Sequence, residues 1–197
     1  MKPFSPACER NQQSILDVLL DYLGDAKTVF EVGAGTGQHA VFFAASMPWL
    51  EWIASDLAER HAGISAWIRE AGLANLGGPV ELDAGADQEW PVNGVDAVFT
   101  ANTLHIMPWR IGAKMIARSA DALRHGGLLF IYGPFNRAGS HVGRGNALFD
   151  AQLRAAGGGQ GLRDIEIVEE QARVADLSAL AVHEMPANNF VLVFRRV

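Results

Sequence analysis

Apolar residues recur at helical spacing near the start of the chain. The residues that would share one face of a helix are Ile15, Leu16, Leu19, Leu20 and Leu23. We predict that this helix begins at Glu9 or Asn11 and that Gly24-Asp25 ends it. One buried face makes the segment 1–24 a helical cap on a single domain that spans residues 1–197.

Beyond the cap, short apolar runs alternate with stretches of helical periodicity. The predicted strands are Thr28 to Val32, Trp52 to Ser55, Val80 to Leu82, Val95 to Thr100 and Leu128 to Tyr132. The predicted helices are Gln38 to Met47, Ala58 to Ala71 and Trp109 to Leu123. This alternation is typical of an α/β fold in which helices cover both faces of a largely parallel sheet.

The end of the chain departs from that alternation. Two strand-like runs, Leu180 to Glu184 and Phe190 to Phe194, are joined only by residues 185–189. Because so short a link cannot hold a crossover helix, the two strands should form an antiparallel hairpin. We therefore predict a mixed, seven-stranded, Rossmann-like sheet. Gly157-Gly158-Gly159 should be a flexible loop.

Composition narrows the classes of partner. The 197 residues include 16 basic and 22 acidic ones, and a net charge of -6 disfavours a nucleic acid held through its phosphates. Cys8 is the single cysteine, and no Cys/His spacing resembles a zinc site, so we expect no metal. The N-terminus carries no apolar signal segment, and no apolar run would span a membrane, so the cytoplasm is expected. Oligomeric state stays open.

A glycine-rich turn, Glu31 to Gly37, lies where the first strand meets the next helix. Glycines at such a turn let the backbone approach a ligand closely. The nicotinamide fingerprint G-x-G-x-x-G would need its third glycine at Gln38, and the Lys-Ser/Thr pair of a P-loop is missing. Asp56 follows the second strand, where an acid can accept hydrogen bonds from ribose hydroxyls. An adenosine-containing ligand is the interpretation that joins these features.

Each feature also has a plainer interpretation. The glycines alone would suit an ordinary tight turn, and Asp56 alone would suit the N-cap of the helix predicted from Ala58. Their joint position at the ends of consecutive strands favours the ligand, because a motif counts only in its structural context.

The turn resembles the first motif of class I methyltransferases, E/D-x-G-x-G-x-G, from Glu31 to Gly37. The resemblance implies S-adenosyl-L-methionine as cofactor, with Glu31 orienting the turn. The residues that it places around the methionine part are Gly33, Ala34, Gly35, Thr36 and Gly37. It further implies that Asp56 holds the ribose, that Asp83 or the neighbouring backbone holds the adenine amino group, and that Asn102 lines the donor pocket.

A narrower resemblance covers most of the chain. Its segments are Glu9-Arg10-Asn11, Asn102 to Trp109, Tyr132 to Phe135, Asn146 to Asp150, Gly161 to Asp164 and Met185 to Asn189. These resemble the family known as domain of unknown function 938, or methyltransferase-like protein 26. The resemblance implies methyl transfer without naming the acceptor.

His105 is the best-placed candidate base, because it follows Asn102 at the carboxyl edge of the sheet, where open α/β sheets bind ligands. Capping of the helix at Trp109 is its alternative role. Arg10 has the planar fork that suits a carboxylate. We expect Arg10 and Asn11 to fold over this edge and line the same space as His105. The alternative is a plain helix start, with Glu9 near the positive end of the helix dipole and Asn11 as the cap, which explains Arg10 less well.

The leading hypothesis is an enzyme that methylates a small molecule. A non-catalytic module that binds S-adenosylmethionine or a protein partner is the first alternative, and sequence does not exclude it. A nicotinamide-dependent reductase is the second, and the spacing of the glycines argues against it.

Overall fold

A central sheet organises the computed structural model, which describes residues 2–197. The strands of this sheet are β1 (Thr28–Val32), β2 (Glu51–Asp56), β3 (Leu76–Glu81), β4 (Val95–Ala101), β5 (Leu123–Pro134), β8 (Leu177–Met185) and β9 (Asn189–Arg196). Two further short strands, β6 (Asn136–Arg137) and β7 (Ser140–His141), pair separately. The helices are α1 (Pro6–Leu20), α2 (Gln38–Ser46), α3 (His61–Ala71), α4 (Trp109–Ala122), α5 (Arg144–Ala156) and α6 (Ile165–Val174). Within residues 2–197, none of these helices is long and apolar enough to cross a membrane.

The seven main strands lie in the order β3-β2-β1-β4-β5-β9-β8. Strands β1 to β5 pair in parallel, whereas β9 runs antiparallel to both β5 and β8. The predicted mixed seven-stranded sheet with an antiparallel C-terminal pair is therefore confirmed. Successive strands extend the sheet in one direction from β1 to β3 and in the opposite direction from β4, and open α/β sheets bind ligands outside such a switch point.

Two apolar cores cover the two faces of the sheet. Successive residues of β1 point to opposite faces, so Val29 packs in one core and Phe30 in the other, both without solvent exposure. The first core joins the sheet to α1 and α2 through residues such as Leu19 and Phe43. The second joins it to α4 and α6. With both faces covered, the carboxyl edge of the strands is the part of the sheet left open to a ligand.

The first helix begins earlier than predicted. Ser5 is its N-cap, with its hydroxyl accepting a hydrogen bond from the Cys8 amide, and Pro6 stands in the first turn. The predicted starts at Glu9 and Asn11 are wrong because the helix begins before its apolar face does. Asn11 therefore lies inside the helix and is not its cap.

Other predicted bounds also shift. The segment Ala58–Arg60 is a short 3-10 turn that precedes α3, so the predicted helix from Ala58 is α-helical only from His61. Strand β5 begins at Leu123 and β8 at Leu177, both earlier than predicted. These residues pair with neighbouring strands, which local periodicity does not reveal.

Asp96 ties the amino ends of three strands together. Its Oδ2 accepts hydrogen bonds from the backbone amides of Lys27 at 2.8 Å and Thr28 at 2.9 Å, and its Oδ1 pairs with Arg124. Burial alone would raise the pKa of Asp96, but the Lys27 amide and the Arg124 guanidinium outweigh it and hold the pKa below its usual range. The ionised form therefore stabilises the fold.

We expect Asp96→Asn to lower the free energy of unfolding by about 1 to 3 kcal/mol at neutral pH, because charged hydrogen bonds are lost. A depressed folded pKa means that the stabilisation is present above the unfolded pKa and is lost as pH falls through the folded value. Urea denaturation at neutral and acidic pH should therefore show that the difference in free energy of unfolding between variant and wild type becomes smaller in acid.

Asp121→Asn is the control, because the Asp121 side chain is 68% exposed and lies 3.9 Å from Arg118. Its substitution should change stability little. If Asp121→Asn lowers the free energy of unfolding as much as Asp96→Asn does, the stabilising role of the Asp96 hydrogen bonds is contradicted.

Candidate functional site

The turn between β1 and α2 is built on glycines that no other residue could replace without movement. Gly33 and Gly37 have φ values of 75° and 87°, in the left-handed region. A Cβ at Gly33 would lie 2.7 Å from the Thr103 side chain, and one at Gly37 would lie 3.1 Å from the Ile64 backbone. The turn therefore packs its backbone tightly against the loop after β4 and against α3.

Asp56 fixes the turn to the end of β2. Its Oδ2 accepts a hydrogen bond from the Gly35 amide and its Oδ1 one from the Leu57 amide, both at 2.7 Å. The 3-10 turn that follows begins at Ala58, and its N-cap residue, Leu57, makes no side-chain capping hydrogen bond. Asp56 therefore does not cap this helix, which was the plainer interpretation. Its carboxylate binds the backbone of the glycine turn instead.

A buried carboxyl group lies beneath the turn. Glu31 is 2% exposed, and the Trp52 indole donates a hydrogen bond to its Oε2 at 2.8 Å. Burial raises the pKa of Glu31 to about 7; the Trp52 hydrogen bond opposes this rise, and the charge of Asp56 adds to it. Glu31 can therefore carry its proton at neutral pH.

Two cavities adjoin at the carboxyl edge of the sheet. They share part of their lining, namely Gly33, Gly35, Thr36, Ala101 and Asn102. The first cavity has a volume of about 740 Å³ and is lined also by Asp56 and Asp83, and Oδ1 of Asp83 accepts a hydrogen bond from the Gly85 amide at 2.8 Å. Apolar residues Leu57 and Ile106 complete its walls. The first cavity thus combines acids with apolar surface.

The second cavity has a volume of about 910 Å³ and a different chemistry. Its polar lining includes Arg10, Asn11, His39, His105, Tyr132, Asn146 and Asn189. Helix α5 contributes Phe149, whose ring meets that of His105 at 5.3 Å between centroids. Arg10 is the only charged residue in this lining.

His105 is 6% exposed, yet its ring lines the second cavity. Burial, together with the smaller effect of the Arg163 charge, lowers the pKa of His105 to about 4. The N-cap of α4 is Pro108, without a side-chain hydrogen bond, so the His105 ring does not cap this helix. The His105 carbonyl accepts a hydrogen bond from the Gly161 amide at 3.0 Å, and His105 is among the residues that line the second cavity.

The structure brings most of the sequence-predicted site residues together. Those that line a cavity are Arg10, Asn11, Gly33, Ala34, Gly35, Thr36, Asp56, Asp83, Asn102 and His105. Glu31 and Gly37, the first and last residues of the turn, line neither cavity. In the described residues 2–197, no group of three or more His, Cys, Asp or Glu side chains is arranged to hold a metal ion.

Sequence reasoning assigned no site role to His39, Tyr132 or Phe149, although all three line the second cavity. Tyr132 is the last residue of the predicted strand Leu128 to Tyr132, and this position indicates the carboxyl edge of the sheet. His39 and Phe149 lie on helices, and nothing local shows which face of a helix meets a cavity.

Residues 2–196 match the family described as "Protein of unknown function (DUF938)". The chain belongs to this family. Solved structures show that its fold is that of the class I methyltransferases.

Three of these structures illustrate the likeness. An O-methyltransferase family protein from Burkholderia thailandensis is 20% identical, with a TM-score of 0.83 over 96% of this chain and 57% of its own. An O-methyltransferase family 2 protein from Planctomyces limnophilus, in complex with apigenin, is 18% identical, with a TM-score of 0.83 over 97% and 58%. PigF with SAH is 14% identical, with a TM-score of 0.79 over 93% and 61%. The DUF938 chain thus spans a little over half the length of these proteins.

We expect Glu31→Gln to change how stability depends on pH. A folded pKa raised to about 7 gives stability that is complete below the unfolded pKa and is lost as pH rises through the folded value. Glutamine keeps an acceptor for Trp52 but cannot ionise. As pH rises from about 5 to about 8, the free energy of unfolding measured with urea should fall by up to about 3 kcal/mol more in wild type than in Glu31→Gln.

Glu81→Gln, at an exposed position of β3, is the matched control and should follow wild type. The assignment is contradicted if Glu31→Gln and wild type lose the same stability over this interval.

Proposed function

We propose that this DUF938 protein transfers a methyl group from S-adenosyl-L-methionine to a small-molecule acceptor. The observation that carries the proposal is the pair of cavities that meet over the glycine turn, with Asp56 on one side and neutral His105 on the other. A donor that crosses the turn would present its reactive centre to the second cavity. Such a division separates cofactor recognition from acceptor recognition.

The first cavity suits the nucleoside part of the donor. Asp56 can accept hydrogen bonds from ribose hydroxyls at the end of β2, and Asp83 can accept one from the adenine amino group. Leu57 and Ile106 offer apolar surface for the base. The acids also favour a ligand that carries a positive charge. The residues present therefore fit S-adenosylmethionine.

The glycine turn suits the methionine part. Its backbone lies close to the space shared by the two cavities, beside Thr36 and Asn102. Beyond the turn, Arg10 offers a guanidinium to a carboxylate. Glu31, at the start of the turn, is fixed to β2 by the hydrogen bond that it accepts from Trp52.

The second cavity suits a small acceptor. Its volume of about 910 Å³ falls within the range of small-molecule pockets, about 300 to 1,000 Å³. Phe149 provides a face on which a flat ring can pack, next to the His105 imidazole. The net charge of -6 argues against nucleic acid as acceptor.

When bound, S-adenosylmethionine supplies an electrophilic methyl group whose bonding pair stays with sulfur as a lone pair of the acceptor forms the new bond. The chain contributes alignment and exclusion of water, which can supply most of the rate for so activated a leaving group. His105 is neutral at pH 7 and can take the proton released by an acceptor hydroxyl or amine. The proton then passes from the ring to solvent.

We expect S-adenosylmethionine and its demethylated product to bind the purified protein and raise its melting temperature, whereas nicotinamide dinucleotides do not. Asp56→Ala should weaken binding of both adenosyl ligands by about 1.5 to 3 kcal/mol, because hydrogen bonds to a charged group are lost. Isothermal titration calorimetry measures the affinities, and thermal denaturation compares the ligands.

Asp87→Ala is the control, because the Asp87 side chain is 98% exposed and lies outside both cavities. Equal stabilisation by NAD would overturn the assignment of the donor. An unchanged affinity in folded Asp56→Ala would remove Asp56 from the site.

We expect His105→Gln to lower methyl transfer by about 100-fold or more, since a positioned base contributes about 100- to 10,000-fold. Donor affinity should stay near the wild-type value. The measurement uses S-adenosylmethionine with a labelled methyl group and follows label into the low-molecular-weight fraction of a cell extract.

His125→Gln, at an exposed position, serves as the matched control and should transfer label at the wild-type rate. Label in protein or nucleic acid instead would contradict a small acceptor. Donor binding without label in any fraction would favour the non-catalytic module.

A further inference from the structure

One wall of the second cavity is formed by the start of α5 and the loop that joins β8 to β9. The residues that it contributes are Asn146, Phe149, Pro186, Ala187 and Asn189. His105 and the glycine turn, by contrast, lie at the ends of the parallel strands. This wall is therefore the part of the cavity available to the body of the methyl acceptor.

The Asn146 side chain has an oxygen that the protein does not use. Asn146 is 6% exposed, and its Nδ2 donates a hydrogen bond to the Asn188 carbonyl at 3.1 Å. Since a backbone carbonyl can only accept, the N–H2 side of the amide must face Asn188, and this fixes which side carries Oδ1. No donor in residues 2–197 forms a hydrogen bond with that Oδ1.

This oxygen is also accessible. Over the described chain, residues 2–197, the side-chain oxygens and nitrogens that are both enclosed by protein and without a hydrogen bond are Oδ1 of Asn136 and Nε of Arg163. Oδ1 of Asn146 is unpartnered but not enclosed, so it is open to the cavity that Asn146 lines. A buried side chain with one free acceptor at a cavity is suited to a ligand that supplies the missing donor.

Asn189 repeats the arrangement. Its Nδ2 donates to the carbonyls of Pro186 at 3.0 Å and Ala187 at 3.3 Å, so the N–H2 side again faces the backbone. Its Oδ1 accepts no hydrogen bond from any residue that the structure describes. The carbonyl that Asn146 binds belongs to the peptide bond between Asn188 and Asn189, so the two side chains are neighbours. Two unpartnered amide oxygens thus lie on the same wall.

The loop that anchors both amides is held in an unusual conformation. Ala187 and Asn188 have φ values of 59° and 57°, in the left-handed region, and non-glycine residues stay there only where the surrounding structure fixes them. The loop packs closely on the residue before α5, because a Cβ at Gly143 would lie 2.7 Å from Nδ2 of Asn188. The two oxygens are therefore held in place before a ligand arrives.

The wall is also held at a fixed position relative to the candidate base. Phe149 lies three residues after Asn146 on the same face of α5, and its ring meets that of His105 at 5.3 Å between centroids. The amides of Gly161-Leu162 donate to the His105 carbonyl at 3.0 Å and to the Asp150 carboxylate of α5 at 2.7 Å. A small aromatic molecule that reacts at His105 can therefore reach Asn146 with its other end.

Amide oxygens select the chemistry of that other end. They accept hydrogen bonds and cannot donate, so the ligand must supply N–H or O–H groups. An N–H2 group has two hydrogens for two oxygens, whereas a hydroxyl has one. A carboxylate would place its own oxygens against those of the wall, and an ammonium group would share the cavity with Arg10, the only charged residue of the lining. The wall therefore fits a neutral N–H2 group.

We propose that the amide oxygens of Asn146 and Asn189 bind an N–H2 group of the methyl acceptor, which makes the acceptor a small aromatic amine or primary carboxamide. The inference rests on the proposed function. The bound N–H2 group is separate from the atom that receives the methyl group, which faces His105. Asn146 thus determines specificity and takes no proton.

The test uses 3- and 4-hydroxybenzamide against methyl 3- and 4-hydroxybenzoate, with S-adenosylmethionine labelled in its methyl group. Each ester keeps the ring and the phenol but has no N–H. The phenol oxygen receives the methyl group and releases its proton, and S-adenosylhomocysteine leaves. In wild type, at least one amide should be methylated with a kcat/KM about tenfold or more above that of the matching ester. Equal values in both pairs would overturn the inference, and this comparison needs no variant.

Substitutions at Asn146 separate binding from support of the loop. Asn146→Leu removes the oxygen and should bring the preference for amide over ester below about twofold. Asn146→Asp keeps an acceptor oxygen but loses the N–H2 group that binds Asn188, and it should retain most of the preference. Because the preference compares two acceptors in one protein, a general loss of activity cancels. If Asn146→Asp loses the preference as Asn146→Leu does, Asn146 only supports the loop and the inference is wrong.

Asn75→Leu is the matched control. Asn75 also uses its Nδ2 to hold backbone carbonyls, those of Ala44 at 2.9 Å, Met47 at 3.3 Å and Leu50 at 3.0 Å, but it lies outside both cavities. Its substitution deletes the same kind of anchor elsewhere in the fold. The preference for amide over ester should match that of wild type, and a loss as large as in Asn146→Leu would contradict a local role of Asn146.

Failure of this inference can be told from failure of the proposed function. If wild type labels small molecules of a cell extract, yet the hydroxybenzamides are neither labelled nor inhibit that labelling, the acceptor class is wrong and the proposed function stands. Label on the amide nitrogen in place of the phenol oxygen would put the N–H2 group at the donor and also overturn the inference. If no fraction of the extract is labelled, the proposed function itself is wrong.

Discussion

The close approach of Gly33 to Thr103 is the constraint on which the site depends. A Cβ at Gly33 would lie 2.7 Å from the Thr103 side chain, so the turn after β1 can rest on the loop after β4 only with glycine there. A line of hydroxyl groups fixes the same junction: Thr103 meets Thr100 at 2.7 Å, and Thr100 donates to the Val32 carbonyl at 2.8 Å. The two cavities meet at this junction because both are built on these strand ends.

Burial around the junction removes charge as well as water. Glu31 has its pKa raised to about 7, and His39 and His105 have theirs lowered to about 4, in each case chiefly by loss of hydration. The two histidines are thus uncharged near neutral pH, and Glu31 is protonated in about half of the molecules. The side chains of Asp56 and Asp83 line the first cavity, so the electrostatic field near the junction comes from a few placed groups and suits a cationic donor.

The sequence predicts the parts of this fold in which local chemistry and tertiary structure agree. Strand β1, its glycine turn and α2 form where the pattern places them, because apolar periodicity and turn residues point the same way. Helix α5 was not predicted, since its buried residues are the polar Asn146 and Asp150 and it carries no apolar stripe. Asp150 is buried because its hydrogen bonds are satisfied: its carboxylate pairs with His141 and Arg154 and accepts a hydrogen bond from the amide of Leu162.

The same distinction separates what could be predicted of the site from what could not. Arg10, Asn11 and His105 were expected at one edge of the sheet from residue type and strand order, and all three line the second cavity. Residue type shows which hydrogen bonds a side chain can form, but not which of them the protein already uses. The Asn11 side chain lies 2.7 Å from Nε2 of His39, on a different helix, so part of its hydrogen-bonding capacity is used within the protein. Contacts between elements thus decide which of several suitable side chains in a cavity binds.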